Sequence, residues 1–162
     1  MGVSGSGKTT VGRLLAARTG WPFLDADDLH SPQATAKMAA GIPLTDEDRW
    51  PWLERVAAWI TARRVAGEPG VVACSSLKRA YRDLLRAADP HLRFAYLRAD
   101  REVIAARLVG RRHPFFPPTL LDAQFAALEE PAEDEHPVTV SLGQSPGDEV
   151  ETILRGLAAG PA

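Results

Sequence analysis

The stretch "GVSGSGKT", Gly2 to Thr9, constrains the fold more than any other part of the chain. It matches G-x-x-x-x-G-K-[ST] in full, a spacing in which glycines let backbone N–H groups converge on a phosphate while the next helix adds its N-terminal dipole. In that geometry Lys8 reaches the β- and γ-phosphates and the Thr9 hydroxyl is placed to ligate Mg²⁺. The alternative is a glycine-rich turn that binds nothing. The complete match, and the helical pattern "TTVGRLLAARTG" that follows at once, favour nucleotide. A loop of this kind hangs from the end of a buried strand, yet only Met1 precedes it.

Short β-branched and aromatic runs alternate with longer helical stretches, which is the pattern of an α/β sheet with crossover helices. The expected strands are 22–26, 70–75, 93–99 and 137–142. The first helix is closed by Gly20, and a long one over "TDEDRWPWLERVAAWITARRVAG" is opened by Thr45 or Asp46, with Pro51 near its start. "LKRAYRDLLRAA", "DREVIAARLVGR", "LLDAQFAALEE" and "GDEVETILRGLAA" read as four more helices. The stretch 111–119 carries three prolines and adjacent aromatics, and reads as an irregular loop of the kind that forms lids. With 162 residues and no long linker, the expectation is a single domain over 1–162 with a lid at about 107–119.

A net charge of −2 leaves no basic footprint for nucleic acid or an anionic membrane. No apolar run reaches the roughly 18 residues of a membrane helix. The lone Cys74 forms no internal disulfide and fits a reducing cytoplasm.

Three sets of residues carry the expected chemistry. In "LDADDLH", Asp25 and Asp27 sit two apart at a strand end and so point together into the ligand crevice. One carboxylate there suits hydrated Mg²⁺ and the other accepts a proton from a substrate hydroxyl; a solvated acidic turn or an N-cap is the alternative, chiefly for Asp28. Arg49, Lys78 and Arg82 form the second set, with Lys78 directly after a strand end and Arg82 four residues on, sharing a helical face. They suit an anionic acceptor, against the reading of each as a solvated helix charge. Arg107 and Arg111 also stand four apart, beside Arg112, where a helix runs into the irregular loop. They read as lid arginines that stabilise charge on a transferred group, or else as cations complementing a helix C-terminus.

Together, "MGVSGSGKTT", "FLDADDLH", "KMAAGIPLTDEDRWPWL", "CSSLKRAYRDLLR", "FAYLRAD" and "LLDAQFAALEEP" resemble the gluconate kinases, relatives of shikimate kinase with a P-loop fold, over nearly the whole chain. The segment "GIPLTDEDRWPWL" discriminates best. The resemblance implies a three-layer α/β/α fold, a parallel sheet ordered like 2-3-1-4-5 and a small lid. The reaction it implies moves the ATP γ-phosphoryl group to the 6-hydroxyl of D-gluconate. It assigns the phosphates to Gly2, Val3, Ser4, Gly5, Ser6, Gly7, Lys8, Thr9 and Thr10, and Mg²⁺ to Thr9 and Asp25. Asp27 becomes the proton acceptor, Arg49, Lys78 and Arg82 hold gluconate, Arg107 lies near the adenine and Arg111 on the phosphates. A homodimer is implied in the same way. Other readings are a different small-metabolite kinase, such as a shikimate kinase, or an inert nucleotide-binding module.

Two departures bear on it. The family reads G-H-F-F in the lid where this chain has "HPFF", which moves histidine to His113 and stiffens the backbone at Pro114. The strand before the phosphate loop belongs at the sheet's centre, and Met1 is all that stands for it. Large buried apolar residues contribute about 1.5–3 kcal/mol each. About five of them rival the 5–15 kcal/mol of a whole domain, so the expectation is that this strand lies upstream of Met1.

Overall fold

The computed structural model describes residues 1–109 and 118–160, with side chains over 1–106 and 120–160. Four short strands form: β1 (Phe23–Asp25), β2 (Val71–Ala73), β3 (Ala95–Arg98) and β4 (Val138–Ser141). They make two parallel pairs, β1 with β2 in the register Phe23↔Val71, and β3 with β4 in the register Ala95↔Val138. Between the pairs run the first residues of the chain. Gly2 N–H donates to Ser75 O at 3.1 Å, and Leu97 N–H donates to Met1 O at 3.0 Å. The order is therefore β1, β2, Met1–Gly2, β3, β4, which is the 2-3-1-4-5 arrangement with its centre reduced to two residues. Beside Met1, a cavity of about 370 Å³ is walled by Val71, Val72, Ala95, Trp59 and Ile153.

Helices cover both faces. α1 (Lys8–Thr19) buries Val11, Leu15 and Ala16 with Val150 and Ile153 of α7 (Pro146–Ala158) against Val71, Leu97 and Val140. Gly12 of α1 has no room for a side chain, since a Cβ there would sit 2.8 Å from the Phe23 ring. On the other face, α3 (Asp46–Ala66) presents Trp52, Leu53, Val56 and Ile60, a stripe at helical spacing, to Tyr81 and Leu85 of α4 (Arg79–Ala88). Adjacent strand residues serve opposite faces, as the pleat requires: Val71 joins the first cluster and Val72 borders the second. α5 (Arg101–Val109) and α6 (Pro118–Ala127) contribute Ile104 and Leu121 to a third cluster with Val3 and Leu77.

The expected strands form, shorter, and the expected helices form over the described residues; α6 begins at Pro118, inside the stretch read as an irregular loop, and 111–117 of that stretch lie outside the described residues. Thr45 caps α3 in a capping box with Asp48, and the helix runs unbroken through Pro51 to Gly67. One helix was not anticipated: α2 (Pro32–Ala39), capped by Ser31, in the alanine-rich stretch after His30. Among the described residues no helix is long and apolar enough to cross a membrane.

Candidate active site

The phosphate loop takes the form that its glycines allow. Gly2, Gly5 and Gly7 have φ of 139°, 80° and 93°, a region other residues rarely enter. A Cβ on Gly2 would lie 2.8 Å from Leu97 O. Gly7 is the N-cap of α1 and supplies no capping side chain, so the amides of the first turn face outward uncapped. That is the geometry of an anion site. Lys8 Nζ donates to Val3 O at 2.9 Å. Burial lowers its pKa, and the Asp27 carboxylate opposes that shift.

Beyond the loop opens a cleft of about 330 Å³, bordered by Ser4, Lys8, Asp27, His30, Arg49, Tyr81 and Gln124. The loop that reads as nucleotide-binding and the carboxylate that reads as a base thus face one space. Asp27 reaches it by a route other than the expected one. β1 stops at Asp25, and residues Ala26–Leu29 turn as a 3₁₀ helix capped by the Asp25 side chain, which accepts from Asp27 N–H at 3.2 Å. Strand alternation therefore does not align the two aspartates; the turn separates them. Asp25 faces α1, where its Oδ2 accepts from Thr9 Oγ1 at 2.7 Å. Asp27 faces the cleft. The cleft walls thin the water around its carboxyl and push the pKa up, while Lys8 pulls it down and Asp25 adds to the rise. The side chain is still 76% accessible, so the rise comes from concave surroundings rather than from a sealed site.

His30 packs flat on Trp52, ring centroids 4.4 Å apart and planes at 14°, with its Nε2 3.8 Å from Asp27 Oδ1. Burial lowers its pKa against the pull of Asp27, which favours the neutral ring. Trp52 Nε1–H is tied to Ala26 O at 2.6 Å, so the ring stack braces the turn that carries Asp27.

The cationic set divides. Arg49 borders the cleft. Lys78 does not: its Nζ lies 2.9 and 2.8 Å from the two carboxylate oxygens of Asp46, which also accepts from Tyr81 Oη at 2.5 Å and lies 3.8 Å from Arg49. Those bonds, that from Lys78 first, hold the Asp46 pKa below the usual range. Arg82 corrects the expectation of a shared cationic face. Lys78 is the N-cap of α4, with extended backbone at φ −93° and ψ 149°, so helical spacing does not carry its direction to Arg82. The Arg82 side chain is 1% exposed and forks onto Glu135 at 2.6 and 2.8 Å, with Nη1 donating to the carbonyls of Ser76, Leu77 and Glu129. With its donors committed inside the protein, it holds the segment after α6 and does not reach the cleft.

Of the remaining expected residues, Val3 and Ser6 are buried in the loop and Thr10 is exposed on α1. The Arg107 side chain, and Arg111, Arg112, His113 and Pro114 entirely, lie outside the described residues. Sequence reasoning did not select His30, Trp52, Tyr81, Asp46 or Gln124. The i,i+3 spacing of Asp27 and His30 was the one available signal; the others are brought in by tertiary contacts.

The chain is similar to known kinases. The family profile for shikimate kinase matches residues 4–139. The thermosensitive gluconokinase of Escherichia coli (strain K12) is 49% identical over 138 residues, covering 85% of this chain and 74% of that one. A crystal structure of a sugar kinase from Janibacter sp. HTCC2649 superposes with a TM-score of 0.93 at 46% identity, over 99% of this chain and 93% of that one. A gluconokinase from Sinorhizobium meliloti 1021 gives a TM-score of 0.90 at 44% identity, over 99% and 90%.

Proposed function

The chain belongs to the shikimate kinase family and, within it, to the gluconokinases, and from that premise we propose that it transfers the γ-phosphoryl group of ATP to D-gluconate, giving 6-phospho-D-gluconate. The observation that carries the reading is the single cleft onto which both Lys8 of the phosphate loop and Asp27 of the acceptor side open. Phosphoryl transfer needs donor and acceptor in line, with fixed charge around them and little else.

The α1 N-terminus and the loop amides other than those of Gly2, Ser4 and Ser6, whose N–H groups donate within the protein, hold the phosphates, with Lys8 placed to neutralise charge on the β- and γ-oxygens. Thr9 Oγ1 and Asp25 Oδ2, which already converge, offer the hard oxygen donors that Mg²⁺ takes alongside phosphate and water. An ion held by these oxygens would offset the negative charge of the phosphates. Asp27 takes the proton of the attacking hydroxyl, and His30 and Trp52 keep its turn in place. Arg49 supplies the positive charge at the acceptor end of the cleft. Lys78 contributes through Asp46 and Tyr81, the latter at the cleft wall. Arg111 on the phosphoryl group and Arg107 near the adenine belong to the same proposal, supported by their spacing in the sequence. The cytoplasm is the matching compartment, in keeping with the single free, buried Cys74.

An ADP-release assay with gluconate, with shikimate and with no acceptor tests the reading. Gluconate-dependent turnover, lost in Asp27→Ala, is the expected result. Shikimate-dependent turnover would replace gluconate as the substrate, and nucleotide binding without turnover would reduce the chain to a binding module.

A further inference from the structure

Helix α6 touches the phosphate loop at two points one helical turn apart. Leu121 packs in one cluster with Val3, and the Gln124 side chain takes the next residue: Ser4 N–H donates to its Oε1 at 2.6 Å. These positions are i and i+3, so one face of α6 lies on the loop. The end of α6 is fixed to the acceptor side. Glu129 N–H donates to Leu77 O at 2.9 Å, Arg82 donates to Glu129 O at 2.9 Å, and Arg79 N–H donates to Glu129 Oε2 at 2.6 Å. The helix therefore spans the two halves of the site on rigid supports.

The donor from Ser4 is a backbone N–H, which settles the orientation of the amide: oxygen to the loop, nitrogen away from it. Gln124 borders the same cleft as Lys8 and Asp27, and its Nε2 has no hydrogen-bond partner among the described residues. A neutral group with two N–H donors thus borders the cleft that Lys8 and Asp27 share. Charge on a phosphoryl group spreads over three equatorial oxygens during transfer, and a preorganised donor aimed at them stabilises the transition state more than the ground state.

We propose that Gln124 is a catalytic residue of the phosphoryl transfer, its Oε1 anchored by the Ser4 amide and its Nε2 donating to an equatorial oxygen of the transferring group. This rests on the kinase reading above. No proton moves at Gln124; the O–P bond to ADP breaks and the bond to the acceptor oxygen forms within its hydrogen bond.

Three measurements on Gln124→Leu and Gln124→Glu test it. Losing one such donor lowers kcat by about 10²–10³-fold, with KM for ATP and gluconate held within about twofold. Gln124→Glu keeps an acceptor for Ser4 N–H but replaces the donor with a charge, and is expected to fall at least as far. Melting temperature reports whether each variant folds. Affinity for Mg·ADP with aluminium fluoride, a mimic of the transferring group, should drop in Gln124→Leu while affinity for Mg·ADP alone stays level. That last pair needs no acceptor, so it reads Gln124 even if gluconate proves not to be the substrate. Unchanged kcat, or an equal loss of affinity for ADP with and without fluoride, would show that Gln124 only braces the loop and would overturn the proposal.

Discussion

Asp27 combines two demands that oppose each other. As a base it must be ionised, yet the walls of the cleft disfavour its charge and raise its pKa above the ordinary 3.8. A group with a raised pKa is protonated, and so inactive as a base, over a wider acid range. The kcat/KM profile should therefore fall on the acid side through a limb above pH 3.8. Asp27→Asn should lower kcat by about 10²–10⁴-fold, the usual worth of a positioned base, and abolish that limb. A limb that persists in Asp27→Asn would assign the proton to another group. Lys8 stands across from it, its own pKa lowered by burial, and each charge opposes the shift that burial imposes on the other. At this scale the sequence was informative for motif residues and less so for directions. Gly2 to Thr9 could be read because the spacing itself is the mechanism. The placement of Asp27 could be read, but for another reason than strand alternation, because β1 ends at Asp25 and a 3₁₀ turn takes over.

At the scale of elements, the buried pair of Arg82 and Glu135 decides whether the segment after α6 stays attached to α4. Burial, the largest single influence, would raise the Glu135 pKa, but the hydrogen bonds from Arg82 and from Ala132 N–H, with the charges of Arg82 and Arg79, together outweigh it and hold the pKa below the usual range. A carboxylate depressed in the folded state contributes stability that is present above its unfolded pKa and lost as pH falls through the folded value. The melting temperature should therefore decline in acid below about pH 4.3, the ordinary glutamate value. Glu135→Ala leaves a buried guanidinium uncompensated and should cost about 3–5 kcal/mol at neutral pH. The double variant Arg82→Met with Glu135→Leu should recover much of that loss and melt with less dependence on acid. Urea titrations of the three proteins at two pH values check both statements, and equal stability of Glu135→Ala and wild type would refute them. The sequence could not reveal this pair, since 53 residues separate its members and Lys78, at an extended N-cap, gave a false bearing for Arg82. Helix α2 escaped for a local reason. "PQATAKMA" is short and alanine-rich, and Ala34 alone of its residues is buried. The start of α3 was legible to within one residue, Thr45 or Asp46, because a capping residue followed by an acidic first turn is a sequence pattern as well as a structure.

Across the whole molecule, the phosphate loop is also the seam of the sheet. Met1 and Gly2 bond to Ser75 on one side and to Leu97 on the other, and Val3 sits in the cluster that Ile104, Leu77 and Leu121 share. The alternation of strands and helices in the sequence was enough to give this layering, because each period is set by local burial. How the two strand pairs meet came from the family resemblance, which set the loop's own strand between them, and not from residue patterns, because it depends on backbone bonds that any residue can make. A ligand on the loop then acts on both pairs at once. Mg²⁺ with a non-hydrolysable ATP analogue at 100 times its Kd stabilises the folded state by about 2.7 kcal/mol. For a chain of this size that is a rise in melting temperature of about 5–11 °C. The rise should appear as one shifted transition, should vanish in Lys8→Met, and should shrink when Mg²⁺ is omitted if Thr9 and Asp25 hold the ion. Gly2→Ala, which sets a Cβ 2.8 Å from Leu97 O at a φ of 139°, should lower the unliganded melting temperature and weaken nucleotide binding together. Differential scanning calorimetry resolves these outcomes. Two separate transitions, of which only one moves with nucleotide, would mean that the strand pairs melt independently and that the loop does not join them.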